Sequence, residues 1–405
     1  MTGYATIIPP VSPEFSLVCA CIARPLTPAR IARIAARAAP AINWPLVDKI
    51  VAQQRVAGLM AEGLKAAGIP VNDTLRHAAT RTATAALAQA GEGLRLNHLL
   101  DQAGVPVLFL KGSTLAMLAY GSIAVRNSID IDMVVRPEDA LRAWQVLDAA
   151  GYIRTTPARM LPPSAFRTYQ KISKDSVHYH PGRRVRVELH WRMSEAILDS
   201  PPPPVAEWQS VRIGGAGSLR TLEDAALFTY LCTHGALHAW ARLKWLTDVA
   251  ALIEQSADGG DRFWAHGQTE RATTAIASAI MLSNALFGTP LPPGFAVPRS
   301  WRLRWFNTVS VKVITAGGGT LNLGQTGWRI MLQPLVTILT LTSVRDAWGL
   351  ARCMLIPAED VALLRLPAAL EFLYPVLRLP LWVWKRTPWS SRGKAGAQAR
   401  LGKPA

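Results

Sequence analysis

Residues 108–135, LFLKGSTLAMLAYGSIAVRNSIDIDMVV, constrain the fold most, because a Lys-Gly-Ser turn stands one short helix ahead of an Asp-Ile-Asp strand. Ile129, Ile131 and Met133 alternate with Asp130 and Asp132. In a strand of period two, that alternation sends the apolar residues into a core and both carboxylates to the opposite face. Two adjacent carboxylates repel, and a fold keeps them where a cation compensates the charge. Mg²⁺ suits the pair, since it prefers carboxylate oxygen and completes its shell with water and substrate phosphate. Asp130 and Asp132 are therefore expected to be catalytic metal ligands.

The turn supplies the other half of the chemistry. Residues 106–110 read as a buried strand, and Lys111-Gly112-Ser113 leads into a helix running to about Tyr120. Gly112 allows a phosphate to approach the backbone, Ser113 offers a hydroxyl, and the helix start offers free N–H groups with a positive dipole end. Lys111 and Arg126 add countercharge. Lys111, Gly112, Ser113 and Arg126 are thus the expected nucleotide-binding set.

Two-metal transfer calls for a third carboxylate. In VRVELHW, residues 185–191, the valines and Leu189 alternate with Arg186, Glu188 and His190, which places Glu188 and His190 on one polar face. Glu188 is the expected third ligand or base, although it has a plainer alternative in pairing with Arg186 or Arg184. His190 is expected to orient Glu188 or touch a phosphate. His178, His180 and His190 all alternate along strands, but no cysteine or spaced helix pair supports a zinc site. Farther on, Lys244 is expected at the nucleotide, with an i,i+4 pair to Asp248 as its plainer reading.

Together these runs resemble the uncharacterised bacterial nucleotidyltransferase family of the polymerase-β-like superfamily. The resemblance is carried by Lys111-Gly112, Arg126, Asp130-Ile131-Asp132, Glu188-Leu189-His190-Trp191, His234-Gly235 and the element from Arg242 to Asp248. Two positions depart from the family pattern: Ser128-Ile129 stands where glycine is frequent before the first aspartate, and Glu188 stands where aspartate is commoner. The resemblance implies an α+β fold, with a polymerase-β-like nucleotidyltransferase core of mixed sheet and flanking helices embedded in extensive N- and C-terminal helical regions. It also implies an NTP substrate with Mg²⁺, while leaving the acceptor unnamed.

Composition bounds the remainder. A chain of 405 residues, half of them hydrophobic, can bury a sizeable core in two or three domains. The net charge of +17 is spread along the chain without a nucleic-acid-binding motif, so a specific nucleic-acid partner is not expected. Cys19-Ala-Cys21 is too close for an ordinary bridge, and the four cysteines lack zinc-ribbon spacing. The opening MTGYATIIPPVSPEF lacks a basic start followed by an apolar run, so no signal peptide and a cytoplasmic location are expected. The apolar run 331–344 is too short to span a bilayer, and charges and prolines interrupt 361–384. No transmembrane helix is expected, and the C-terminal region is compatible with peripheral membrane contact.

The expected organisation is a helical N-terminal region (1–100), a catalytic core (101–200), a helical domain (201–298), an apolar C-terminal helical region (299–389) and a disordered basic tail (390–405). Thr27-Pro28 reads as a helix start, and Thr221 with Asp224 reads as a capping box opening a helix. The expected function is Mg²⁺-dependent transfer of an NMP from an NTP, ATP being the expected donor, to a hydroxyl or phosphate acceptor. The alternative is a catalytically degenerate nucleotidyltransferase fold that binds a nucleotide, a peptide or a glycan precursor.

Overall fold

The computed structural model describes residues 10–38, 41–157, 161, 163–194, 200–270 and 272–316, with isolated positions between 370 and 380. The runs 331–344 and 361–384, most of the C-terminal region and the basic tail therefore lie essentially outside the described residues. The protein is mixed α/β, and five of its strands form one sheet in the order β1-β2-β5-β4-β3, where β1 is Leu108–Phe109, β2 Asp130–Val134, β3 Ile153–Thr156, β4 Asp175–His180 and β5 Val185–His190. The described residues fall into two compact units.

Among the described residues, the first unit comprises 10–98, Leu108–Ile131 and 203–316. It begins with α1 (Pro13–Ile22), α2 (Pro28–Arg37), α3 (Trp44–Gln54) and α4 (Ala57–Ala66), followed by the long α5 (Asp73–Gln102), which runs into the second unit. Both α1 and α2 start with a hydroxyl residue before a proline: Ser12 accepts the N–H of Phe15, and Thr27 accepts that of Arg30. The proline sacrifices an N–H that no helical carbonyl would have received. Helix α1 is buried along most of its length and packs on α2, α3 and α4. The α1–α4 approach depends on Gly63, where an added Cβ would lie 2.2 Å from the Cys21 carbonyl oxygen.

Later in this unit come α6 (Ser113–Tyr120), the hairpin β6 (Trp208–Arg212) and β7 (Ser218–Leu222), then α9 (Asp224–Leu237), α10 (Leu243–Gln255), α11 (Asp261–Thr269), α12 (Thr273–Phe287) and α13 (Trp301–Thr315). Helix α10 is central, packing on α6, α9 and α12. The loop before it is anchored by fully buried Trp240, whose indole N–H donates to Ser278 Oγ at 3.1 Å while Ser278 donates to Asn307.

The expected capping box at Thr221 is corrected. The turn at 214–217 closes the β6–β7 hairpin, Thr221 is buried inside β7, and α9 begins at Asp224, capped by the Glu223 carboxylate that accepts the Ala225 N–H. Strand pairing outcompetes the local cap. Ile129 is also corrected: it is 49% exposed because β2 starts at Asp130, whereas Ile131 and Met133 are buried as expected.

Among the described residues, the second unit comprises Leu99–Val107 and Asp132–Pro202. Here β3, β4 and β5 pair antiparallel, and α7 (Ala140–Ala149) and α8 (Pro163–Ile172) complete the described elements. One face of β4 and β5 carries Ser176, His178, Val187 and Leu189 into a core with Trp144, Trp191, Phe166 and Tyr169. The opposite face carries Asp175, Glu188 and His190. His178 and His190 therefore point away from each other, and the alternating histidines make no common metal site.

His178 is tied to Ser176 Oγ at 2.9 Å, and Ser176 in turn accepts the Trp144 indole N–H at 2.7 Å. Burial, with Arg154 nearby, depresses its pKa to about 3. The unfolded chain then binds a proton that the fold refuses between pH 6.5 and 3, so stability is present above 6.5 and drains away as the pH falls through that window. Urea titrations should show an acid-dependent loss of unfolding free energy that flattens in His178→Gln. An equally steep loss in the variant would remove His178 as its source.

Candidate active site and metal centre

Of the phosphate-binding candidates, Lys111, Gly112, Ser113, Arg126 and Lys244 lie in the first unit and His190 in the second. Gly112 precedes α6 with φ 72° and ψ −125°, a conformation open to glycine and strained for other residues, and no side chain caps the helix start. A Cβ at Gly112 would meet little, its nearest neighbour being Ser128 Oγ at 3.9 Å, so backbone geometry demands the glycine. Fully buried Thr114 holds the turn by donating to the Phe109 carbonyl at 2.9 Å. Ser113 and Lys111 stand half-buried at the mouth of the helix.

Around this turn the unit gathers cations. Lys244, in the first turn of α10, donates to the Asn127 carbonyl at 3.2 Å. Burial brings its pKa down to about 7, with Arg126, Arg55 and Lys111 pushing the same way against Asp248. Arg242, which precedes α10, is lowered to about 10 by burial and by Arg55, while Asp130 supports its charge. Arg55 is itself lowered by burial and supported by Asp130. Its left-handed backbone, φ 59°, follows Gln54, whose buried side chain accepts the Leu243 N–H at 2.7 Å and donates to the Ile314 carbonyl at 2.9 Å. That bond fixes the end of α3 against the start of α10. Sequence reasoning missed Arg55 and Arg242 as neighbours of Asp130, since nothing local joins three such distant positions.

Arg126 is buried and grips Asp248 with two nitrogens, Nε at 3.0 and 3.1 Å and Nη2 at 2.9 Å. Tyr120 donates to the same carboxylate at 2.8 Å, and burial together with Asp248 pushes its phenol well up, so it remains a donor. Asp248 thus pairs with Arg126, and the amine of Lys244 goes to a carbonyl.

The metal candidates Asp132, Glu188 and His190 lie in the second unit, and each offers a ligand atom within 4.8 Å of the others. Asp132 is 4% exposed and His190 3%. His190 Nε2 stands 3.4 Å from Asp132 Oδ1 and 3.9 Å from Glu188 Oε2, yet it is buried and has no hydrogen-bond partner among the described residues. The other ring nitrogen, Nδ1, lies 3.6 Å from Asp175 Oδ2, directly across the β4–β5 pair. Glu188 also accepts from Arg186 at 2.8 Å, the plainer pairing that the sequence allowed. A divalent cation fits this donor set: two carboxylates and one imidazole nitrogen that meets no donor. Asp130, two residues before Asp132 on β2, is half-buried.

The pattern of a family described as uncharacterised nucleotidyltransferase matches residues 40–288, more than half of the chain. The chain belongs to that family. No curated protein and no solved structure matches it. The matched span holds every candidate named above, from Lys111 to Lys244, as well as Arg55 and Asp248. Among the described residues, no helix is long and apolar enough to cross a membrane. Cys19, Cys21 and Cys232 are free, buried thiols.

Proposed function

We propose that this member of the family is a Mg²⁺-dependent nucleotidyltransferase that moves an NMP from an NTP, ATP being the first donor to test, to a hydroxyl or phosphate acceptor in the cytoplasm. The observation that carries the reading is the carboxylate set: Asp130 and Asp132 two residues apart on one strand, with Glu188 and His190 beside Asp132. The family membership and the glycine-led helix start at Gly112 support it. Asp130 and Asp132 would hold the ion on the triphosphate, and Asp132, Glu188 and His190 would make a second metal position.

Bound metal supplies neutralisation of the triphosphate and Lewis acidity at the α-phosphorus. Backbone N–H groups at Gly112 and Ser113 bind phosphate oxygens, and Lys111 and Lys244 match their charge. Arg126, with its charge spent on Asp248, positions the segment leading to Asp130. An acceptor oxygen attacks the α-phosphorus, the bond to the bridging oxygen breaks, and pyrophosphate leaves with the electron pair. The acceptor's proton passes to water or to a carboxylate of the set.

Thermal unfolding with each of the four NTPs, with and without Mg²⁺, tests this without knowledge of the acceptor. A ligand at a hundredfold excess over its Kd stabilises the fold by about 2.7 kcal/mol, so one NTP should raise Tm only when Mg²⁺ is present. An equal rise with and without the ion favours a degenerate nucleotide-binding fold, and no rise with any NTP removes the donor site.

A further inference from the structure

His190 is more than a neighbour of the carboxylates. Strand register sets it directly opposite Asp175, with Glu188 two residues back on the same face and Asp132 on β2. His190 Nδ1 lies 3.6 Å from Asp175 Oδ2, while Nε2, 3.4 Å from Asp132 Oδ1 and 3.9 Å from Glu188 Oε2, is buried with no hydrogen-bond partner among the described residues. Two carboxylates converging on one buried imidazole nitrogen form a donor set that a divalent cation can join. A carboxylate behind the far nitrogen of a histidine is also the arrangement that orients imidazole ligands and raises their basicity.

We propose that His190 Nε2 ligates the second metal position with Asp132 and Glu188, and that this nitrogen makes the position prefer a first-row transition ion of the Mn²⁺ class over Mg²⁺. Mg²⁺ binds through oxygen and gains little from imidazole, whereas Mn²⁺ accepts nitrogen and carboxylate together and still suits phosphate. Asp175 is a positioning residue: it holds the ring without touching the ion. The assignment rests on the metal-dependent reading above.

The competing account makes His190 an imidazolium that offsets three carboxylates, and the two differ in sign. If His190 is a ligand, removing it weakens metal binding; if it is a cation, removing it strengthens metal binding. The test titrates the metal-free full chain with Mn²⁺ alone and then with Mg²⁺, without nucleotide, and records electron spin-echo modulation of the bound Mn²⁺. Wild type is expected to bind Mn²⁺ at least tenfold more tightly than Mg²⁺ and to show a directly bound nitrogen. His190→Gln should lose the nitrogen signal and about tenfold or more of the Mn²⁺ affinity, with Mg²⁺ affinity little changed. Asp175→Asn, which leaves the ligands in place, should weaken Mn²⁺ while keeping the nitrogen signal.

An all-oxygen Mn²⁺ shell in wild type, or unchanged or tighter binding in His190→Gln, overturns the assignment. Because no NTP is used, the two readings fail separately. Nitrogen-bound Mn²⁺ in a chain that responds to no NTP would sink nucleotidyl transfer alone, and an all-oxygen shell in a chain stabilised by Mg²⁺ and an NTP would sink only the role of His190.

Discussion

Asp132→Ala is expected to reduce pyrophosphate release from the stabilising NTP in the presence of an acceptor by about a thousandfold or more, since metal-borne stabilisation of a phosphoryl transition state is worth several kcal/mol and each ~1.4 kcal/mol is tenfold in rate. Asp132 is the one carboxylate that both proposed metal positions share, and it is almost fully buried beside His190. Asp130→Ala should act in the same direction through the triphosphate-bound ion alone. The fold is expected to survive Asp130→Ala, since Asp130 is half-buried at the start of its strand, and Asp132→Asn, which keeps the shape of the buried side chain, serves as the second variant at Asp132. Unfolding midpoints in urea should therefore stay close to wild type while release collapses. A variant that folds normally and releases pyrophosphate at the wild-type rate would remove the aspartates from the chemistry.

Much of the local structure was legible in the sequence. Thr27-Pro28 announced α2, and the alternation of His178 with His180 and along VRVELHW announced the two strands that became β4 and β5. Glu188 and His190 shared a face by parity alone, as found. The same Ser-Pro signature that opens α2 as Thr-Pro stood at Ser12-Pro13 and could have revealed α1. What escaped was non-local. No spacing rule connects Asp175 to His190, because only the register of two antiparallel strands sets them opposite each other. Arg55, Asp130 and Arg242 come together through a glutamine bonded to a helix start 189 residues away. Thr221 looked like a cap because capping is a local pattern, and pairing with Gln209 across the hairpin decided otherwise.

Asp248→Asn is expected to cost about 3–5 kcal/mol of unfolding free energy, the largest stability effect foreseen for a single conservative change in this chain. The side chains of Arg126 and Asp248 are 3% and 1% exposed, and Tyr120 adds a third donor to the same carboxylate. Neutralising Asp248 leaves the guanidinium buried without its counterion while keeping the shape of the side chain, so the loss would report charge and not a cavity. A double replacement by apolar residues of similar volume, Arg126→Met with Asp248→Leu, should restore part of the loss, since neither desolvated charge then remains. Urea denaturation of the two single variants and the double gives the coupling directly, and a loss below about 1 kcal/mol in Asp248→Asn would show that the pair behaves as a solvent-screened one.

The consequence for function follows from where the pair sits. Arg126 lies one residue before Asn127, whose carbonyl receives Lys244, and four before Asp130, while Asp248 lies one helical turn after Lys244 on α10. Breaking the pair frees both partners of the Lys244–Asn127 bond at once, so Asp248→Asn should weaken NTP-dependent stabilisation even at temperatures where the chain remains folded. Arg126→Lys should do the same, because an ammonium keeps the charge but cannot reproduce the two-nitrogen grip on the carboxylate.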